Sequence, residues 1–243
     1  VRGLDRVARA AGAKIYSFAP VRSMHRLDGA WHLDVAGMPV TAKTVIVATN
    51  GYSDGLVKGL KGSVLPLFST QIATEPLTEE QIGPVLRGGH TISDTRRLIM
   101  YARREPGNQM VFGGMGYRRP GGGIGGFSWI LKDAPETFPS LRGVEWRYRW
   151  GGRVALTEDR VPHLHEPQPG LIAGLGYNGR GVAMSHVMGR VMAERALGTP
   201  AEDLPFPVTK IAPYRFRTPQ VLGAGLAMAF LRMRDQREWR SVG

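Results

Sequence analysis

The sequence predicts a mixed α/β (α+β) protein in which one domain, split along the chain, is interrupted by a second domain built on an antiparallel sheet. Three observations carry this. Two unbroken apolar runs, Thr44–Ala48 and Leu171–Leu175, read as strands of a buried sheet, because a strand covered on both faces shows no polar alternation. Between them, residues 61–154 change texture to recurring extended runs. After the second run, a helix-spaced segment returns to the first texture.

In chain order, residues 1–11 carry helical spacing, with Leu4, Val7, Ala8 and Ala11 on one side, and Gly12 stands where such a helix ends. "AKIYSF" reads as a strand. "MHRLDGAWHLDV" is two alternating runs about Asp28–Gly29, a hairpin signal, and "GMPV" continues as an edge strand. The Thr44–Ala48 strand stops at Thr49-Asn50-Gly51. Ligands of open α/β sheets sit just beyond such carboxyl ends, so residues 48–52 are either a ligand loop or an ordinary turn.

The middle region reads as strands in "VLPLFSTQIATEPL", "RLIMYARR", "NQMVFGGMGY" and "GVEWRYRWGGRVAL", with helices in "TEEQIGPVL" and "FSWILKDAPETF". The loop "PGGGIGGF" lacks the strand–turn–helix context of a phosphate site. "LIAGL" is a strand and "GRGVAMSHVMGRVMAERALG" a helix ended by Gly198. Its Met184, Met188 and Met192 fall at i, i+4, i+8 and read as core packing. Gly181, Ala183, Gly189 and Ala193 suggest close packing on a sheet. An extended tail, "LPFPVTKIAPYRFR", leads to a last helix, "GAGLAMAFLRMRDQREW". The expected organisation is a discontinuous domain from 1–60 and 155–210, an inserted domain from 61–154, and a terminal segment and helix from 211–243.

Composition narrows the function. With 42% apolar and 21% charged residues among 243, the chain buries a core. It has no cysteine, which excludes disulfides, cysteine-ligated zinc, thiolate catalysis and cysteinyl cofactor links within the chain, and fits a cytoplasmic setting. The net charge of +12 is spread without a dense basic run, which points to a solvated surface or an anionic ligand and not to nucleic acid. No apolar run approaches the roughly 20 residues that span a bilayer. His163 and His165, beside Asp159 and Glu166, read as a loop with two histidines and not as a metal site.

Gly174-Leu-Gly176-Tyr-Asn-Gly179 matches G-x-G-x-x-G. A dinucleotide fingerprint needs a second buried strand after the helix, with an acidic residue at its end. Here Glu202 and Asp203 precede an extended run instead. What remains is a glycine-lined helix N-terminus, with unpaired amides and partial positive charge, suited to a flat ring that gains negative charge.

"TVIVATNGYS" together with "YRWGGRVALTEDRVPHLHEPQPGLIAGLGYNGRGVAMSHVMGRVMAERALG" resembles the FAD-dependent amine and amino-acid oxidoreductase family. The resemblance covers nearly the whole chain. It implies a partial FAD-binding Rossmann-like domain with an inserted antiparallel-sheet substrate domain. It also implies non-covalent FAD, a small-molecule amine or amino acid as substrate, and oxygen or another electron acceptor. Family members begin with a βαβ unit carrying the pyrophosphate glycines; none of the first fifty residues fits it, so the sequence is expected to be the C-terminal part of a longer protein.

By motif match the resemblance places Gly176, Tyr177, Asn178, Gly179, Arg180, Gly181 and Val182 along the flavin ring, and Thr49, Asn50 and Gly51 near the cofactor. It sets Val21 at the adenine and Trp150, Gly151 and Gly152 under the flavin, with Asp159 and Pro162 in the "T-x-D-x-x-P" that follows. Tyr177, Arg153 and Tyr101 are then candidates for the reacting centre, and Arg103, Phe112 and Tyr148 for substrate contacts. Hydride leaves the carbon next to nitrogen, giving an imine that hydrolyses. A dehydrogenase passing electrons to a partner, or an inactive basic binding module, are the alternatives.

Overall fold

The structure, a computed structural model, describes residues 1–119 and 121–242. Pro120, which opens the glycine-rich loop, and Gly243 lie outside the described residues.

Helix α1 (Arg2–Ala10) forms where expected, but its apolar side stays exposed. "AKIYSF" is not a strand: no neighbour pairs with it, and Phe18 adopts φ 56 with its side chain in solvent. The hairpin is as read. Strands β1 (Val21–Leu27) and β2 (Ala30–Val35) meet at Asp28 and Gly29, both with positive φ, and β3 (Met38–Ala42) completes a three-stranded antiparallel sheet. Primed turns of this kind match the twist of the strands they join.

Strand β4 (Val45–Val47) ends a four-stranded sheet at one edge. The expectation that it is covered on both faces fails there: Ile46 is 43% exposed, because on its face α4 packs over Ile172 of β12 and does not extend over β4. Then come β5 (Leu65–Ala73), the short helix α2 (Glu79–Ile82) with a Thr78–Gln81 capping box, β6 (Ile92–Ser93), β7 (Met100–Arg104), β8 (Met110–Arg118) and β9 (Ile124–Gly125). Helix α3 (Phe127–Thr137) and β10 (Tyr148–Leu156) complete the six-stranded antiparallel sheet, ordered β10-β5-β8-β7-β6 with β9 beside β8. One of its faces, with Ile72, Phe112, Met110 and Ala102, packs under α3 through Trp129 and Ile130.

Strands β11 (His163–Gln168) and β12 (Leu171–Leu175) return to the first sheet. All five residues of β12 are buried, and it pairs in parallel with β4. One face of this sheet packs against Trp31, Val57 and Leu60, and the other against helix α4 (Gly181–Ala196) through Met188, Val191 and Met192. The methionine reading holds. The small-residue reading does not: Ala183, Gly189 and Ala193 lie on the exposed side of α4. Strand β13 (Val208–Thr209) joins β11, and α5 (Arg217–Val242) closes the described chain against β8 and β5.

Candidate functional site

β13 runs parallel to β11, and β11 antiparallel to β12. The segment β12–α4–β13 therefore reverses direction and is not a parallel βαβ unit, so its G-x-G-x-x-G is not a pyrophosphate fingerprint. β4 and β12, however, are parallel, and their carboxyl ends open on one edge. There the Gly176 amide donates to Asn50 Oδ1 at 3.0 Å, tying the two loops together. Asn50 accepts in a left-handed conformation (φ 42) that asparagine tolerates.

The same edge gathers the loop after β10. Asn178 Oδ1 accepts from the Thr157 amide at 3.0 Å, and the Asn178 amide donates to Ala155 O at 3.1 Å. Gly176 has φ +80, and a Cβ on it would sit 2.2 Å from Thr157 Cγ2. This turn aims the start of α4 outward. No side chain caps that N-terminus, Arg180 stands exposed at the N-cap, and a Cβ on Gly179 would meet open space. Val182 is exposed beside it. The amides of the first turn are thus left for water or a ligand.

Tyr177 departs from expectation. It is buried between β12 and α4, donates its hydroxyl to Gly174 O at 3.3 Å, and burial pushes its phenol above the usual range. It supports the loop from beneath.

Strand register sorts the remaining candidates, since cross-strand partners share a face. Trp150, Gln71, Gly113 and Tyr101 form one row across β10, β5, β8 and β7, flanked on the same face by Gly152, Ser69 and Met115 and by Tyr148, Val111 and Arg103. This is the face away from α3. The Tyr101 ring lies across Gly113, whose Cβ would come 2.3 Å from it. The Tyr101 hydroxyl meets Ser69 Oγ at 2.5 Å, and Gln71 Nε2 donates to Ser69 Oγ at 2.9 Å and to Tyr101 at 3.3 Å. Tyr148 donates to Glu75, which raises its phenol, and Arg103 pairs with Glu105.

Phe112 belongs to the opposite face. It is fully buried and edge-on to Phe138 and Trp146, so it is a core residue and not a substrate contact. Gly151 also faces the other way, under Ile124. Arg153 shares that parity, apart from Tyr101, with its guanidinium 5.2 Å from the Tyr52 ring centroid. Tyr52 joins the two regions: its hydroxyl accepts from the Arg153 amide of edge strand β10 and lies 3.6 Å from where a Gly152 Cβ would be. Val21 is paired with Val35 in the separate hairpin sheet. Thr49 bonds Ser53 at 2.8 Å, and Gly51 packs on Arg153.

Ser69 and Gln71 were missed in the sequence. The 48–52 loop included Tyr52, but nothing local marked its reach to β10. Asp159 accepts from the Val161 amide and from His163, whose hydrogen bond holds the Asp159 carboxyl below its usual range, so it shapes a turn. No group of three metal-ligating side chains occurs among the described residues.

A family model described as FAD dependent oxidoreductase matches residues 1–195. A probable oxidoreductase OrdL of Haemophilus influenzae is 31% identical over 200 residues, covering 81% of this chain and 46% of that protein. Gamma-glutamylputrescine oxidoreductase of Escherichia coli is 30% identical over 194 residues, 78% of this chain and 45% of that protein. The crystal structure of glycine oxidase from Geobacillus kaustophilus superposes with TM-score 0.68 at 22% identity, over 88% of this chain and 56% of that chain, and shares the fold. The chain spans about half the length of the relatives it matches. With the family model matching residues 1–195 and a relative 31% identical over 81% of the chain, the chain belongs to the FAD-dependent oxidoreductase family.

Proposed function

We propose that this chain supplies the flavin-ring side and the substrate sheet of an enzyme that oxidises the C–N bond of an amine or amino acid to an imine, which water hydrolyses. The observation that carries it is the Gly176–Asn50 link, which sets two loops and an uncapped helix N-terminus on one edge, joined by Tyr52 to the open face of the six-stranded sheet.

The residues present fit the ring end of FAD. Gly179 and Gly181 leave the approach to the first-turn amides open, and the chain has no cysteine through which to link it. Gly181, Val182 and the Asn50 loop would hold the ring there, and bound FAD would supply the two-electron acceptor. The α4 amides stabilise negative charge brought to that edge without reorganising. On the sheet, the Ser69–Gln71–Tyr101 cluster orients a polar group of the substrate, and the exposed faces of Trp150 and Tyr148 exclude water from its apolar part. Tyr52 keeps loop and sheet in register.

The relatives support the substrate class, since one acts on gamma-glutamylputrescine and another on glycine by name. The test is an anaerobic titration of the FAD-loaded protein with a panel of primary amines and amino acids, followed by oxygen uptake against dye reduction. The visible flavin band is expected to bleach with at least one of them, and Tyr101→Phe is expected to raise KM about five- to tenfold with kcat little changed. An unbleached band of the FAD-loaded protein across the panel refutes the reading.

A further inference from the structure

Helix α5 is apolar on two opposite sides. One side is docked. Met228 is buried, and Asp235 accepts from the Leu98 amide at 3.0 Å and from Arg97 Nη1 at 3.1 Å. Arg232 pairs with Asp133 at 2.8 Å and lies over the Trp129 ring. The other side carries Leu222, Leu226, Phe230 and Met233, which are 78%, 80%, 55% and 51% exposed. Their spacing of four, four and three places them on one stripe, about 16 Å long at 1.5 Å per residue.

Cations flank this stripe. Arg237 stands seven residues beyond Phe230 in the same column and Arg234 four beyond it; both are exposed, and Arg234 also lies 3.9 Å from Glu238 in a solvent-exposed pair, worth little and open to exchange for a phosphate. A groove of about 350 Å³, lined by Leu98, Tyr117, Trp129, Lys132, Met228 and Arg232, lies on the docked side of α5 and is separate from the stripe. The chain as a whole carries +12.

We propose that α5 lies on an anionic lipid bilayer surface, with the Leu222–Met233 stripe in the headgroup–acyl boundary and its arginines on the lipid phosphates. Such helices lie in the plane of the interface with an apolar face sunk roughly 5–10 Å, a depth that suits a one-residue-wide stripe. A second copy of the chain fits less well. Stable dimers use roughly 20–30 residues a side, against four here, and two surfaces of equal positive charge repel. No helix of the described residues is long and apolar enough to cross a membrane, so the contact is one of lying on and not spanning. The docked side fixes the helix beforehand, so binding costs little ordering.

The test is co-sedimentation of the full chain with vesicles of equimolar phosphatidylglycerol and phosphatidylcholine, and with phosphatidylcholine alone, at low and high salt. Binding is expected only to the anionic vesicles and to weaken with salt. Leu226→Glu with Phe230→Glu is expected to lower partitioning about tenfold or more, with an unchanged circular dichroism spectrum and urea midpoint. Arg234→Gln with Arg237→Gln is expected to lower it and flatten its salt dependence. No binding of the native chain, equal binding of the Glu variant, or a native dimer that the Glu variant splits without any vesicle binding would each overturn the proposal, the last in favour of a second copy.

Discussion

Gly176→Ala separates two costs that the structure places at one atom. Gly176 has φ +80, and a left-handed conformation costs an L-residue about 1–2 kcal/mol. Its new methyl would also meet Thr157 Cγ2 at 2.2 Å, far inside contact, and overpacking of this kind costs about 1–3 kcal/mol. The sum is about 2–5 kcal/mol. Thr157→Ser removes only the offending methyl and keeps the hydroxyl that donates to Val161 O. In that background Gly176→Ala is expected to keep the backbone cost and lose the overpacking, so its penalty falls by about 1–3 kcal/mol. Urea unfolding of the four proteins of this cycle gives the coupling energy. If Gly176→Ala costs the same in the native and the Thr157→Ser backgrounds, the close approach is not what the glycine serves. If it costs nothing in either, the turn that aims α4 at the ligand edge is not built as described.

Two further outcomes follow from burial. His165 is fully buried on β11; its Nδ1 lies 2.9 Å from Thr209 O, Nε2 has no partner among the described residues, and burial pushes its imidazole below the usual range, with the His163 ring 5.5 Å away. The folded chain thus refuses a proton that the unfolded chain takes up near pH ~6.5, so stability is expected to fall as pH drops through that value and to level off below the folded pKa. His165→Gln is expected to flatten this slope between neutral and mildly acidic pH, and parallel urea-midpoint curves for the two proteins would refute it. Phe112→Ala is expected to cost about 3–5 kcal/mol by urea unfolding, whereas Trp150→Ala, on the open face, costs a small fraction of that; the reverse ranking would invert the assignment of the two sheet faces.

Local signals were legible where the chemistry is local. Asp28–Gly29 had to turn, because only such residues accept consecutive positive φ values. The "LIAGL" run announced a strand buried on both faces, and the methionine spacing announced the inner side of α4. "AKIYSF" misled because β-propensity without a partner makes no ladder. Phe112 and Gly113 are neighbours in a strand whose first five residues are all buried, so no alternation told which of them faced α3. Tyr177 followed a glycine whose positive φ turns the chain back on itself, and that reversal, invisible in residue type, carried the ring into the core.

The sequence by itself determined the two-texture plan, the hairpin, the glycine-lined start of α4 and the family resemblance, since each rests on composition or on spacing within a short window. Only the tertiary structure decided which candidates share a site. Register put Tyr101 and Trp150 with Ser69 and Gln71, and parted them from Phe112 and Arg153. The parallel pairing of β4 with β12 brought Asn50 to Gly176 across 126 residues of chain. The docking of α5 through Asp235 chose which of its two apolar sides faces outward. These are decisions made by pairing and packing between distant segments, and no local pattern of residues encodes them.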